Sequence, residues 1–170
     1  EYRMGDVIPS ISPSMDIQIS SNFERAMFDA YDREGEAIAR VMNELKTKGG
    51  FALSQGVMDV LRENFDSGRV SEAETSAEIT RSLTAHAELL CPHSAIGTHV
   101  ANRLRNADTP MITLATAHPA KFPAAVEAAT GVHPPLPPRM ADLFERDERV
   151  TRVENNLDAL KAIVTDRIEH

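Results

Sequence analysis

Polar side chains that could meet a ligand directly follow an apolar run in the second half of the chain. Residues 111–115, which come after Pro110, are predicted to form a buried strand. Thr116, His118 and Lys121 then add a hydroxyl, an imidazole and a cation. Because ligands in open α/β sheets bind just beyond the carboxyl ends of strands, Thr116 is placed to contact one. A plain strand-to-helix turn, with a capping Thr and a solvated Lys, is the alternative that the pattern leaves open.

Hydroxyl groups also gather before the first predicted helix. Residues 12–17 read Ser-Pro-Ser-Met-Asp-Ile, and residues 20–25 follow with Ser-Ser-Asn-Phe-Glu-Arg. Ser21 and Glu24 have the spacing of a capping box, which predicts a helix N-terminus here. Free backbone N–H groups and the helix dipole attract anions at such a place, and Arg25 could add a forked contact to a phosphate. The alternative is capping and turn chemistry alone.

A third stretch, Cys91-Pro92-His93-Ser94, combines a thiol with an imidazole, and His99 lies close behind it. Zinc binding would need a second Cys pair or the usual His spacing, and the stretch has neither. A Cys–His nucleophile pair is also unsupported, because side chains two residues apart rarely reach the required geometry. Pro92 suits the first turn of a helix, so the stretch is predicted to be a helix N-terminus lined by small residues.

Local signals divide most of the chain into helices. Ser54 is a candidate N-cap, Ser71 and Glu74 form a second capping box, and Gly49 and Gly131 terminate helices. Apolar spacing indicates about seven helices. The one predicted strand needs partners for its backbone groups, so further strands are expected elsewhere. Side chains predicted to face inward include Phe65 near the third helix and, in the last helix, Val153, Leu157, Leu160 and Val164.

Composition places the chain among globular proteins of a single domain. It has 170 residues, of which 42% are hydrophobic, and a net charge of −8, so it can bury a core. The acidic balance disfavours nucleic acid and anionic membranes as partners. No transmembrane run or signal peptide is apparent. The single cysteine, Cys91, cannot form an internal disulfide, and a cytoplasmic location is expected.

The first residues and a proline-rich stretch near the C-terminus support two further predictions. The first residue is Glu1 rather than Met, and Tyr2-Arg3-Met4-Gly5-Asp6 reads like the interior of a protein. We therefore expect a fragment of a longer chain. The proline-rich residues 134–138 could be an SH3-type ligand, but a rigid connector before the last helix is the simpler interpretation.

Taken in order, these stretches resemble the C-terminal half of bacterial and fungal threonine synthases. The resemblance rests on residues 12–17, residues 20–25, Pro92-His93-Ser94-Ala95 and residues 116–122, which read Thr-Ala-His-Pro-Ala-Lys-Phe. It is close over about residues 8–131 and looser in the tail. The third motif departs twice from the family pattern, since Cys91 stands where the family often has Asp and Ser94 where it often has Thr.

The resemblance implies a fold-type-II enzyme that depends on pyridoxal 5′-phosphate (PLP) and is similar in fold to the tryptophan synthase β chain. The implied fold class is α/β, with this part mostly helical and with few strands of its own. The implied reaction converts O-phospho-L-homoserine and water to L-threonine and phosphate by γ-elimination and β-hydration. PLP serves there as the electron sink.

The resemblance also carries roles onto particular residues. Thr116 matches the hydroxyl residue that bonds the pyridine nitrogen of PLP in this fold type. The Schiff-base lysine of the family, and the loop that cradles the PLP phosphate, lie upstream of the Ser-Pro-Ser motif. No catalytic lysine is therefore expected within this chain, and the missing N-terminal part of the same protein is an expected partner. Candidates for the substrate phosphate are Ser14, Ser21, Arg25 and Lys121.

We interpret residues 1–170 as the C-terminal part of a PLP-dependent catalytic region. Within it, residues 1–19 are an ordered loop or strand and residues 20–108 are helical. Residues 109–131 are a strand, a turn and a helix with a cofactor-facing Thr, and residues 132–170 are a proline-rich connector and a C-terminal helix. The isolated chain is expected to be inactive, and no metal is expected. The alternative is a non-catalytic helical binding or regulatory domain related to this enzyme.

Overall fold

The computed structural model describes residues 1–169 as a mostly helical chain with few strands, as predicted. Residues 1–135 form one compact unit, and a second unit begins at residue 136. None of the described helices is long and apolar enough to span a membrane. The elements in chain order are β1 (Tyr2–Arg3), α1 (Ser21–Ala30), α2 (Gly35–Lys48), β2 (Gly50–Phe51), α3 (Gln55–Asn64), α4 (Glu72–His86), α5 (Pro92–Leu104), α6 (Pro123–Thr130) and α7 (Leu157–Glu169).

One hydrophobic cluster of the first unit lies between α1, α2 and the two short strands. The antiparallel ladder pairs Tyr2 with Phe51, and their rings stack with centroids 5.0 Å apart. Gly50 is required beside them, because a Cβ there would lie 2.5 Å from the Tyr2 carbonyl oxygen. Burial of these side chains drives the packing. The cluster consists of Met27, Ile38, Val41, Leu45 and Phe51.

Local capping signals define several helix ends as predicted. The Ser54 hydroxyl accepts the Val57 N–H at 3.4 Å and begins α3. At the start of α4, the Ser71 hydroxyl accepts the Glu74 N–H at 3.3 Å, and the Glu74 carboxylate accepts the Ser71 N–H at 2.7 Å. Gly49 ends α2 with a φ of 73°, a left-handed conformation that glycine adopts without a steric cost.

A second group of helices surrounds α4, which packs against both α5 and α6. Ile79 of α4, Ala95 of α5 and Val126 of α6 are fully buried. The Thr80 hydroxyl donates to the Ala129 carbonyl at 2.7 Å and so ties α4 to the end of α6. This group packs α5 against α4, and the chain that leads to α6 meets the N-terminus of α5 where Thr116 contacts Ser94.

A buried carboxylate strengthens the contact between α4 and α5. Glu78 is 5% exposed, and Arg81 donates to it at 2.6 and 2.8 Å. Asn102 of α5 reaches the same carboxylate at 3.4 Å. The Arg81 hydrogen bonds, acting against burial, hold the pKa of Glu78 below its ordinary value. The charge is thus satisfied inside the helix group, as a buried carboxylate requires.

The predicted strand at residues 111–115 is wrong. The only ladder in the described part of the chain joins β1 to β2, and Ile112 and Leu114 are 84% and 74% exposed. An apolar run becomes a strand only where neighbouring backbones share its hydrogen bonds, and residues 1–169 offer these residues no such neighbour. Thr116 therefore follows an irregular segment and not a strand.

Two predictions about α1 and α3 are also wrong. The N-cap of α1 is Ser20, which makes no side-chain cap hydrogen bond, and Ser21 is the first helical residue. A residue with helical backbone angles lies inside the first turn, so the Ser21 hydroxyl does not cap the helix. Phe65 follows the last residue of α3 and is 62% exposed, because the chain leaves the helical path at that point.

The second unit is described over residues 136–169. It contains α7 and two short 3-10 turns, Pro138–Met140 and Leu143–Glu145. Among its described residues α7 is the only α-helix, so its apolar side has no helical neighbour within the unit. Val153 lies before α7, and the prediction that it faces inward with three side chains of the helix is wrong. All four are exposed: Val153, Leu157, Leu160 and Val164.

Candidate functional site

Parts of the three chemically suggestive stretches of the sequence meet at the N-terminus of α5. Ser94 accepts the backbone N–H of Thr116 at 3.1 Å, and the two hydroxyl oxygens are 3.4 Å apart. His93 accepts the backbone N–H of Ser14 at 3.1 Å through Nε2, across 79 residues of sequence. The first turn of α5 is therefore the point at which these distant loops are joined.

Cys91 and Pro92 explain why α5 begins where it does. The Cys91 sulfur accepts the Ser94 N–H at 3.4 Å and acts as the N-cap, and Pro92 occupies the first turn. Proline suits that position because its missing N–H would have no partner there. Cys91 and Ser94 are 1% and 2% exposed, so the cap is sealed from solvent.

The Ser-Pro-Ser loop is held in shape before it reaches α5. Residues Pro13–Met15 form a 3-10 turn. The Asp16 carboxylate accepts the Ser10 N–H and the Ser10 hydroxyl, each at 2.7 Å. The buried Ser12 hydroxyl lies 3.1 Å from the Ser10 hydroxyl. These bonds close the loop locally, so Ser14 is presented to His93 from a defined turn.

His93 is a neutral anchor within this cluster. The residue is 8% exposed, and its ring packs on Phe122 with centroids 4.6 Å apart. Burial, and then the charge of Lys121, lowers the pKa of His93 below its ordinary value, against a smaller opposing effect of Asp16. Because Nε2 accepts the Ser14 N–H, the neutral ring carries its proton on Nδ1. That buried nitrogen has no hydrogen-bond partner among the described residues.

The stretch after Thr116 folds into a short turn that positions a cation. Residues Pro119–Lys121 form a 3-10 turn, in which the His118 ring accepts the Ala120 N–H at 3.2 Å. His118 is thus a capping group. The Lys121 ammonium lies 5.9 Å from the centroid of the Phe122 ring, and no carboxylate pairs with it within residues 1–169. Lys121 therefore adds positive charge beside His93.

Residues 113–116 lie along the first turns of α5. Thr116 meets Ser94, and the methyl group of Thr113 approaches Gly97 so closely that a Cβ there would lie 3.1 Å from it. The absence of a side chain at Gly97 allows this approach. The exposed Ile112 and Leu114 alternate with Thr113. Thr116 itself is exposed, so its hydroxyl can meet a ligand.

Ser21 and Arg25 occupy a different place. They line a shallow pocket of about 510 Å³ on α1 and α2, together with Glu24, Phe28, Gly35, Ile38 and Ala39. No described hydrogen bond or ion pair joins this pocket to the α5 N-terminus. Of the predicted site residues, the structure thus brings Ser14, Lys121 and Thr116 to one cluster and leaves Ser21 and Arg25 apart. Their assigned roles remain predictions.

Sequence reasoning did not assign a role to His93, Ser94 or Cys91, although these residues form the centre of the cluster. The available signal was Pro92 at the start of a helix next to side chains that can hydrogen-bond. The zinc alternative for Cys91 and His93 gains no support, since the described residues contain no group of three metal-ligating side chains. Their polar atoms instead contact Ser94 and Ser14.

Comparison with known proteins agrees with this arrangement of motifs. The family model for "Threonine synthase, C-terminal" matches residues 94–164. Threonine synthase of Pseudomonas aeruginosa is 45% identical over 166 residues, which cover 96% of this chain and 35% of that protein. Threonine synthase of Corynebacterium glutamicum is 34% identical over 175 residues, which cover 99% of this chain and 36% of that protein.

Comparison with solved structures also finds threonine synthases. PLP-bound threonine synthase of Brucella melitensis matches with a TM-score of 0.87 and 46% identity, over 97% of this chain and 36% of its own. Yeast threonine synthase matches with a TM-score of 0.80 and 29% identity, over 98% of this chain and 38% of its own. The chain thus spans about a third of the length of these relatives. It belongs to the threonine synthase family and corresponds to its C-terminal part.

Proposed function

We propose that this chain supplies the cofactor-facing C-terminal part of an enzyme that converts O-phospho-L-homoserine and water to L-threonine and phosphate. The observation that carries the proposal is Thr116, an exposed residue whose hydroxyl and backbone N–H both contact Ser94 at the α5 N-terminus. A relative of 46% identity has been solved with PLP bound. Thr116 is the residue that we assign to the ring nitrogen of that cofactor.

The residues at the α5 N-terminus fit PLP chemically. PLP, when bound, supplies an electron sink for the substrate carbanion. A neutral hydroxyl such as that of Thr116 can donate to an unprotonated ring nitrogen but does not keep a proton on it, as an aspartate would. With an unprotonated ring nitrogen the cofactor is a weaker electron sink, which suits elimination and replacement reactions more than transamination. Thr116 is held by two contacts to Ser94, so its side chain loses little conformational entropy when a ligand binds.

The substrate phosphate is assigned to side chains of the same loops. Lys121 and Ser14 both belong to the cluster around His93, and an ammonium and a hydroxyl are suitable phosphate ligands. Ser21 and Arg25 form a second candidate set, since they line one pocket on α1 and α2. Glu24 lines that pocket as well and opposes an anion there, so we favour Lys121 and Ser14.

The cofactor-binding lysine is assigned to a part of the protein outside residues 1–170. The chain contains Lys46, Lys48, Lys121 and Lys161, and none of them matches the lysine position of the family. The remaining part of the same protein is therefore the proposed partner of this chain, and catalysis needs both. Relatives about three times as long agree with this division.

The proposal is tested by replacing Thr116 in the full-length protein. Thr116→Val keeps the shape and removes the hydroxyl, while Thr116→Ser keeps the hydroxyl. We expect Thr116→Val to lower kcat/KM in a phosphate-release assay roughly 10- to 100-fold, the effect of one lost hydrogen bond, and to weaken PLP binding. Thr116→Ser should retain most of both. Unchanged kinetics in Thr116→Val would remove the assignment of Thr116 to the cofactor.

A further inference from the structure

We propose that Ser94 is a positioning residue that orients the Thr116 hydroxyl. In this view Cys91 donates a hydrogen bond to Ser94, and Ser94 donates one to Thr116. The hydroxyl proton of Thr116 then points out of the protein toward an acceptor. The inference rests on the proposed function, in which that acceptor is the unprotonated ring nitrogen of PLP. It concerns the buried groups behind Thr116, to which the sequence assigned no role.

The geometry places Ser94 at the centre of three contacts. Its oxygen lies 3.1 Å from the Thr116 backbone nitrogen, 3.4 Å from the Thr116 hydroxyl oxygen and 3.3 Å from the Cys91 sulfur. Ser94 is 2% exposed and Cys91 is 1% exposed. Solvent therefore has almost no access to the Ser94 hydroxyl, and these neighbours decide where its proton points.

The numbers of protons and lone pairs determine which group donates in each of these hydrogen bonds. A serine hydroxyl has one proton to donate and two lone pairs to accept with. The Thr116 N–H occupies one lone pair of Ser94. The Cys91 sulfur already accepts the Ser94 N–H as the helix cap, and a thiol is a weak acceptor. The Cys91 S–H is therefore best used as a donor to the second lone pair of Ser94.

The proton of Ser94 is then left for the Thr116 oxygen. Once the Thr116 hydroxyl accepts from Ser94, its own proton is free to point outward, since Thr116 is an exposed residue. If the Thr116 proton points outward, it meets the lone pair of an unprotonated ring nitrogen. If it pointed inward, a lone pair of the Thr116 oxygen would face the lone pair of that nitrogen. Hydrogen bonds in such a chain polarise one another, which strengthens the terminal donor.

The test uses the full-length protein loaded with PLP that carries ¹⁵N in its ring. Ser94→Ala removes the donor to Thr116, and Ser94→Thr keeps it. Ser82→Ala, on α4, is the matched control for loss of a buried serine hydroxyl. The readouts are the ¹⁵N shift of the bound cofactor, kcat and KM separately, and the thermal midpoint of each variant.

We expect Ser94→Ala to move the ¹⁵N signal toward that of a ring nitrogen without a hydrogen bond and to lower kcat about tenfold, with a smaller change in KM. Ser94→Thr should keep the ¹⁵N signal and kcat close to those of the wild type. Ser82→Ala should leave the signal in place. Should Ser94→Ala fail to fold, Ser94→Cys keeps a similar size with a weaker donor and should give the same change in smaller amount.

Two results overturn the inference, and they separate it from the proposed function. If Thr116→Val moves the ¹⁵N signal but Ser94→Ala and Ser94→Cys do not, then Thr116 contacts the ring without help from Ser94. If Thr116→Val also leaves the signal unchanged, then Thr116 does not contact the ring nitrogen, and both proposals fail.

Discussion

At the scale of single residues, His93 shows how a titratable group can serve as a structural anchor. Its Nε2 atom accepts the Ser14 N–H at 3.1 Å, and its ring is packed against Phe122. A protonated imidazole has no lone pair on Nε2, so protonation must break the bond to Ser14. The Ser-Pro-Ser loop therefore depends on the neutral form of His93.

The first residue-scale prediction concerns pH. The folded-state pKa of His93 is lowered, chiefly by burial and then by Lys121, so the unfolded chain takes up this proton first as the pH falls. The stabilisation from neutral His93 is thus complete above the ordinary histidine pKa of about 6.5 and is lost as the pH drops through the lower folded value. In the full-length protein, the free energy of unfolding should fall between pH 7.5 and 5 more steeply in wild type than in His93→Gln.

The control for this measurement is His133→Gln. The His133 side chain is exposed and lies 2.8 Å from Glu127, so its replacement does not touch the buried loop contact. Equal pH slopes for wild type and His93→Gln would contradict the role given to His93.

At the scale of elements, α5 is the part on which the candidate site depends. Its N-terminus carries Cys91 and Ser94, its later residues reach Glu78 of α4 through Asn102, and Gly97 lets residue Thr113 approach. A helix that is held both by a buried hydrogen-bond network and by a methyl group packed closely on Gly97 has little freedom to shift. The position of Thr116 follows from that of α5.

The element-scale prediction concerns Gly97. A Cβ at this position would lie 3.1 Å from the Thr113 methyl group, so Gly97→Val should displace residues 113–116. We expect a loss of about 1–3 kcal/mol in stability from overpacking and weaker PLP binding by the full-length protein. Denaturant unfolding and a cofactor titration measure the two effects.

Gly56→Val in α3 is the matched control, because a Cβ at Gly56 would have nothing within 4 Å. Its effect on stability should be within about 0.5 kcal/mol, as is usual for an exposed site. If both variants lose stability equally, then the approach of Thr113 does not account for the loss at Gly97, since valine has the higher helix propensity at both positions.

At the scale of the whole molecule, apolar side chains remain exposed on the two irregular segments that meet at α5. Ile8, Ile17 and Ile19 lie on the first segment, and Ile112 and Leu114 on the second, with exposed fractions from 52% to 84%. Exposed apolar side chains that gather on neighbouring segments often mark an interface. We infer that the remainder of the same protein covers it.

The whole-molecule prediction concerns residues 1–170 produced alone. Because the apolar segments are uncovered, we expect this chain to self-associate, and Ile112→Ser combined with Leu114→Ser to reduce its mass by light scattering toward that of a monomer. Phe144→Ser, which alters an exposed ring of the second unit, should have less effect.

The same isolated chain should neither retain PLP after dialysis nor release phosphate from O-phospho-L-homoserine. Cofactor that borohydride fixes to one specific lysine, together with turnover, would show that the chain carries its own catalytic lysine.

The sequence alone determined the features that depend on neighbouring residues. The capping pair Ser71 and Glu74 and the terminating Gly49 specify helix ends because their hydrogen bonds and backbone angles involve only the next few positions. The family could also be identified from the motifs, since a long run of particular residues is rare by chance. The cap at Ser21 was misplaced by one residue, because Ser20 and Ser21 offer the same hydroxyl to the same turn.

Only the tertiary structure decided which of the chemically suggestive residues lie together. Ser14 and His93 are 79 residues apart and Ser94 and Thr116 are 22 apart, yet each pair is joined by a hydrogen bond. The apolar spacing of residues 111–115 could not show whether another strand would lie beside them. A strand exists only through the backbone of its neighbour, and a long-range contact only through the packing of the helices that carry it. These are properties of the folded chain as a whole.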